Sequence, residues 1–526
     1  MTDLIISGGT VVDGTGTAGR RADVAVEGGR IAAIGDLAGR TAALTLDAAG
    51  DVVCPGFVDV HTHSDLTLLS SPYAHSKVRQ GVTTEVVGNC GLGVAPLPPD
   101  ADAAAIRAAV GYLDLDPGVD WAWRDMPGYL AAVAAAHPSV NVAALAPHLP
   151  LRAGVVGFGD RAADPGELGR MCGLLDDALA AGAAGLSTGL VYAPLCYARE
   201  DELVALGRVV AAHGGLFAWH ARDYADDLLA SVRQVVRVAA ASGCRAQISH
   251  LVAVGRRNWG AVARALEIVD AARAGGVDVA ADVYPYLAGN APLSQLLPAW
   301  AQEGGAAAMA ARLADPGVRA RVAEGWRDRP LGWAEITISR APDPDTGLAG
   351  RTVAELAGGG DPDALVLDLL AAHGNAVLMV AGGRSEDDLL AALAHPETVI
   401  GSDGQALDPD GPTGAGVPHP RSYGCYPRLF GDYVRTGRMP LADAVRKCTG
   451  APAQRLGLRD RGELRPGAAA DIAVFSPAQI ADRATFAAPQ RYPDGIRHVV
   501  VNGTPVIVSG RHDGARPGTV LRPTHS

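Results

Sequence analysis

The chain has 526 residues, 48% of them hydrophobic, with 66 glycines and a formal net charge of −12. The length exceeds one ordinary domain, and acidic residues spread along the chain argue against nucleic acid or an anionic membrane surface as a partner. No run reaches the roughly eighteen apolar residues of a membrane span, and seven cysteines, an odd number, behind an opening Met1-Thr2-Asp3 with no basic leader predict a soluble cytoplasmic protein without a disulfide framework.

Residues 1–55 read as short strands, at 4–6, 10–12, 23–26, 30–34 and 51–53, separated by glycine turns. So small a sheet buries too little to stand alone. Residues 470–475 and 497–508 have the same texture, so 1–55 and 451–526 are expected to form one small β-sandwich. Between them, apolar runs at 57–61, 83–87, 140–146, 184–191, 216–220, 245–250, 277–283 and 398–401 alternate with alanine-rich helical stretches such as 166–181, 200–213, 225–242 and 258–274. That rhythm is the mark of parallel β/α units, and the expected fold is α/β, a (β/α)8 TIM-like barrel over 56–450. The connection after strand seven is too long for one helix. Residues 288–397, with Trp300, Trp326, Trp333 and the turn Pro342-Asp343-Pro344-Asp345, predict a helical insertion covering the mouth.

Strand one runs into His61-Thr62-His63, and alternation along a strand turns residues i and i+2 to the same face. Strand two ends at Cys90, strand five at His220, strand six at His250 and strand eight at Asp403. These six candidate ligands share the C-terminal ends of five strands, where barrel active sites are built. Singly, each has an ordinary explanation: Cys90 a small buried hydrophobe, His220 and His250 satisfied strand-end histidines, Asp403 a helix N-cap. Jointly they point to a metal, and thiolate, imidazole and carboxylate together suit zinc. His137, His213, His373, His395 and His512 lie in helical or loop stretches and read as surface residues, whereas His148, just after strand three, fits either a site or a structural role.

The pieces His61-Thr62-His63-Ser64-Asp65, Gly88-Asn89-Cys90-Gly91, Leu186-Ser187-Thr188-Gly189-Leu190-Val191-Tyr192, Gln247-Ile248-Ser249-His250, Asp282-Val283-Tyr284-Pro285-Tyr286, Gly401-Ser402-Asp403-Gly404 and His419-Pro420-Arg421 resemble the N-acyl-D-amino-acid deacylases (D-aminoacylases) of the amidohydrolase superfamily. The tail Tyr492-Pro493-Asp494-Gly495 followed by Val501-Asn502-Gly503 extends the likeness over essentially the whole chain. The resemblance implies hydrolysis of the amide of an N-acyl-D-amino acid. It implies a tightly held Zn2+ on Cys90, His220 and His250, a weaker second position near His61 and His63, and Asp403 as the catalytic carboxylate. It also places Tyr192, Tyr284 and Arg421 against the small-molecule N-acyl substrate, with Arg421 gripping the substrate carboxylate.

The family pattern is not fully kept. After strand five, D-aminoacylases typically carry Thr-His-Met-Arg-(Asp/Asn)-Glu, whereas this chain has Trp219-His220-Ala221-Arg222-Asp223-Tyr224. The lysine usual two residues past the strand-six histidine is Val252. Metal chemistry is thus kept while substrate recognition is altered, which leaves room for a deacylase-like enzyme recruited to another carbon–nitrogen bond. A cyclic-amide hydrolase of the hydantoinase or dihydroorotase kind would need a lysine at the end of strand four. None stands there, and the two lysines, Lys77 and Lys447, are not near a strand end in sequence. A non-catalytic binding protein has little reason to keep all six polar residues.

Overall fold

β-Branched and small residues dominate the runs that form parallel strands, as a surface covered on both faces requires. In the computed structural model, which describes residues 2–343 and 346–523, these runs give two parallel sheets. The first holds Phe57–Asp59, Val82–Val87 and Asn141–Ala144, and the second holds Ala146–Pro147, Gly185–Gly189, Leu216–His220, Arg245–Ile248, Val279–Val283 and Thr398–Ile400. Strand order follows chain order throughout. One backbone run, 141–147, passes from the first sheet into the second. At the other edge the Asp403 N–H donates to the His61 carbonyl at 2.7 Å and the His63 N–H to the Gly404 carbonyl at 2.8 Å. An apolar cluster draws Val58, Val86, Ala143, Ala184, Ala218 and Val399 from both sheets into one interior.

Helices Pro165–Ala180, Glu200–Ala212, Leu228–Ser242 and Ala261–Ala274 cross between successive strands. Pro165–Ala180 starts at a capping box, with Asp164 and Glu167 each accepting the other's backbone N–H at 2.9 Å.

Among the described residues, strands from both end regions of the chain share one nine-stranded sheet. Thr2–Val11 pairs antiparallel with Arg20–Glu27 and parallel with Ala42–Asp47 and Val52–Pro55. Val52–Pro55 then pairs with Ile472–Phe475, which leads on to Ile496–Val501 and Thr504–Val508. Leu4, Ile6, Val24, Val26, Val53, Ile472 and Val500 form its apolar core.

The segment after Val279–Val283 is not purely helical. Gly289–Pro292, Ile336–Arg340 and Leu378–Ala381 make a three-stranded antiparallel sheet, and helices including Gly305–Leu313, Pro316–Trp326 and Pro362–His373 pack on it. Trp326, Trp333, Ile336, Leu370 and Met379 give this segment a core of its own. Pro344 and Asp345, half of the expected turn, lie outside the described residues. The next helix, Glu386–Ala394, buries Leu389, Ala392 and Leu393 in the main core instead. Among the described residues no helix is long and apolar enough to cross a membrane.

Candidate metal centre

All six expected ligands meet at one place. The ligand atoms of Cys90, His220 and His250 lie within 4.8 Å of one another, and so do those of His61, His63, Cys90 and Asp403. Cys90 is common to both groups, its Sγ 3.3 Å from His61 Nε2 and 3.5 Å from His250 Nε2. Asp403 Oδ1 stands 3.0 Å from His63 Nε2 and 3.4 Å from His61 Nε2. Asp403 lies in a loop and caps no helix.

Local backbone explains why these side chains converge. Cys90, His250 and Asp403 have φ of 56°, 37° and 53°. That region is sparsely populated by residues with a Cβ, and the chain uses it here three times to turn a side chain inward as a strand ends. Glycines make the room: a Cβ on Gly189 would lie 2.1 Å from the Cys90 carbonyl oxygen, and one on Gly401 would lie 2.7 Å from His61 Cβ.

Burial decides the charge states of Cys90, His63, His220 and His250, and neighbouring charges decide those of His61 and Asp403. Burial pushes the Cys90 thiol up to about 11, His63 down to about 4 and His220 down to about 3, and it holds His250 well below the usual imidazole range. For His61 the burial penalty is outweighed by Asp282, Cys90 and Asp403, which raise its pKa well above 6.5. Burial likewise opposes charge on Asp403, but the Arg421 guanidinium and His61 keep its pKa well below 3.8. Neutral His220 and His250 offer lone pairs, the form in which imidazole binds a metal. Both ring nitrogens of His220 are buried without a hydrogen-bond partner among the described residues, as is His63 Nδ1. Buried polar atoms rarely go unsatisfied, so these mark a missing partner, and the N, S and O donor set fits zinc.

Supporting residues to which the sequence assigns no role hold this cluster. Asp282 Oδ1 accepts the His250 backbone N–H at 2.7 Å and faces His61 Nδ1 at 3.1 Å, an outer partner that fixes ring orientation. Its place at the end of strand seven was the signal available. Tyr224 straddles two ligand strands: its hydroxyl accepts the Ala221 N–H and donates to the Ser249 carbonyl, both at 2.9 Å, with its ring packed on His220 and His250.

Beside the cluster opens a cavity of about 290 Å³ reaching up to the inserted segment. Tyr192 and Tyr284 line it, with the Tyr192 ring 5.0 Å from that of His220, and so do Val252 and Tyr112. Arg421 does not stand free at the mouth. It is buried, and its guanidinium donates to Asp403 Oδ2 at 2.6 Å, the Tyr284 hydroxyl at 2.7 Å, the Tyr112 hydroxyl at 3.1 Å and the Asn290 carbonyl at 3.3 Å.

His148 is buried but apart from the cluster, held between Thr188 at 3.0 Å and Glu202 at 2.9 Å. Of the histidines expected on the surface, His137 and His373 are exposed. His213, His395 and His512 are half-buried, because each folds onto a polar neighbour: Asp176, Asp270 and Ser139. The lysines also differ from their sequence placement. Chain folding brings Lys77, fully buried, to Asp59 at 2.9 Å and Ser402 at 2.8 Å, and brings Lys447 to the Thr398 carbonyl at 2.8 Å. Both therefore touch strand ends, though neither reaches the ligands.

The amidohydrolase family model matches residues 44–507. The chain belongs to the amidohydrolase family. This amidohydrolase is 38% identical over 523 residues to N-acyl-D-glutamate deacylase of Alcaligenes xylosoxydans xylosoxydans, covering 99% of this chain and 96% of that one. It is 37% identical to D-aminoacylase of the same organism, with 99% and 98% covered. Among solved structures, N-acyl-D-glutamate deacylase from Bordetella bronchiseptica, complexed with zinc and a phosphonate inhibitor that mimics the tetrahedral intermediate, superposes with a TM-score of 0.82 at 36% identity over 99% of both chains. The amidohydrolase fold here is accordingly α/β of the TIM-barrel type.

Proposed function

We propose that this amidohydrolase uses zinc to hydrolyse the linear amide of N-acyl-D-amino acids, releasing a carboxylic acid and the free D-amino acid. The observation that carries the reading is the meeting of Cys90, His220 and His250 with His61, His63 and Asp403 beside one cavity. Whole-chain likeness to deacylases of N-acyl-D-amino acids supports the substrate class. Cys90, His220 and His250 would hold the tight zinc, and His61 and His63 a weaker second ion. When bound there, zinc supplies Lewis acidity, lowering the pKa of water toward about 7 and polarising the amide carbonyl. Asp403, kept ionised and aimed by Arg421, accepts the proton of the attacking water and delivers it to the departing amine nitrogen. Tyr284 accepts from Arg421, which leaves its own O–H to donate to substrate, and Tyr192 closes the wall beside His220.

We read residues 56–450 as one (β/α)8 catalytic barrel with an insertion at about 288–397, and 1–55 with 451–526 as a β-sandwich. Support comes from the hydrogen bonds at both seams of the parallel sheets, the shared interior cluster and the sheet common to both termini. A second reading, the same metal site turned to another carbon–nitrogen substrate, draws on Tyr224 and Val252, which replace the family's glutamate and lysine. Turnover of matched D and L N-acyl-amino acids by zinc-loaded enzyme tests both. Cleavage of D substrates over L upholds the first reading, and no cleavage of either leaves the second.

A further inference from the structure

We propose that Arg384 is the residue that grips the substrate's α-carboxylate, supplying the cation that Val252 does not. This rests on the deacylase reading. Among the described residues three guanidinium groups line the cavity, those of Arg222, Arg329 and Arg384. Arg222 donates to the carbonyls of Cys196 at 2.7 Å and Ala198 at 3.1 Å. Arg329 donates to the Trp326 carbonyl at 2.9 Å and lies over the Trp333 ring. Arg421, the expected anchor, has both terminal nitrogens engaged, by Asp403, Tyr284, Tyr112 and Asn290. Arg329 leaves one buried nitrogen idle, its Nε, but has Asp363 3.9 Å from Nη1; Arg384 has two, Nε and Nη1, buried with no partner among the described residues.

A guanidinium carries five donors and no acceptor, so buried idle N–H groups call for an anionic or carbonyl oxygen from outside the chain. Carboxylate is the natural complement, through parallel N–H···O bonds. The arm is also held in place. Its guanidinium carbon lies 5.1 Å from the Tyr284 ring centroid, and a Cβ on Gly289 would come within 2.1 Å of its Nη2, so bare backbone leaves the room it fills. Its loop is pinned on both sides. The Gly383 carbonyl accepts from Trp259 Nε1 at 3.1 Å and the Gly255 N–H at 2.9 Å, and Ser385 caps helix Glu386–Ala394. Tyr284 joins the two arginines: Arg421 holds its hydroxyl, and Arg384 packs on its face. Arg384 lines the same cavity as Cys90, His220 and His250, so a carboxylate held there shares that cavity with the ligand cluster.

The test compares zinc-loaded wild type, Arg384→Met and Arg384→Lys on an N-acetyl-D-amino acid and on its carboxamide. The expected result for Arg384→Met is a KM for the acid raised roughly 10- to 100-fold, the loss of one charged hydrogen-bond pair, with kcat and zinc content nearly unchanged. The carboxamide should show no such rise, and Arg384→Lys should recover part of the acid's KM. Equal effects on acid and carboxamide, or none on either, overturn the assignment while leaving the deacylase reading intact. If wild type cleaves neither compound, the deacylase reading fails, and calorimetric titration of the same two compounds then judges Arg384 separately. A preference for the acid that vanishes in Arg384→Met upholds the anchor, and absent or equal binding overturns it.

Discussion

Replacing Lys77 by Met removes the cation that faces two buried carboxylates while keeping an unbranched side chain of similar volume. Lys77 Nζ is 2.9 Å from Asp59, 2.8 Å from Ser402 Oγ and 3.7 Å from Glu85, and all three charged side chains are fully buried. Asp59 keeps two donors in the variant, the Ser402 N–H at 2.7 Å and Oγ at 2.6 Å, and Glu85 keeps Ser64 Oγ at 2.5 Å. Breaking a buried ion pair from one side costs about 3–5 kcal/mol, and the surviving donors place Lys77→Met toward the lower end, at about 3 kcal/mol. Urea unfolding followed by circular dichroism should show this as a lower midpoint with an unchanged slope. The pH dependence has a definite sign. Burial would lower the Lys77 pKa, but Asp59 and Glu85 outweigh it and raise it above 10.5, so the stabilisation is complete below pH 10.5 and fades as pH rises through the folded pKa. Glu85 is raised above 4.5 chiefly by burial, so its ionisation costs stability as pH climbs past that value, and the damage in Lys77→Met should shrink toward acid. A loss under about 1 kcal/mol at pH 7 would refute the argument.

Three further outcomes follow from the site. Cys90→Ala should leave the fold intact but lose most of the bound zinc, read by metal analysis after dialysis, and full retention would remove Cys90 from the ligand set. Asp403→Asn should keep zinc on Cys90, His220 and His250 while turnover falls by a factor on the order of 10² to 10⁴, and near-normal rates would exclude it as the proton acceptor. Tyr224→Phe deletes the hydroxyl that bridges the Ala221 and Ser249 backbones. It should weaken zinc retention against a chelator about 10- to 100-fold, the range for outer partners of metal ligands, and an unchanged release curve would count against the bridge.

The convergence of these six side chains was legible because strand alternation and strand-end position are local properties: His61 and His63 differ by two residues, and Cys90, His220, His250 and Asp403 each follow an apolar run. What the sequence hid depends on contacts far along the chain. Lys77 meets Ser402 across 325 residues, and no local pattern marks that pairing. The motif His419-Pro420-Arg421 names a cation but not its engagement by Asp403, Tyr284 and Tyr112. The strand Ala42–Asp47 is largely exposed, so its alternation is weak, and Gly289–Pro292 contains residues that strands usually avoid. Arg384 follows Gly382-Gly383, where composition announces only a turn.

The inserted segment closes an apolar core of its own, while the ligand cluster is braced by Asp282, Tyr224 and the parallel strands. Changes at cavity-facing positions such as Asn290 or Gln295 therefore reach what the cavity admits without disturbing those braces. Most substitutions destabilise and are tolerated only above a threshold, so an arrangement with two cores lets substrate range drift under selection while hydrolytic competence is inherited unchanged. Transplanting residues 289–381 between relatives is the corresponding engineering route: the graft carries its own hydrophobic interior and should transfer selectivity without rebuilding the chemistry.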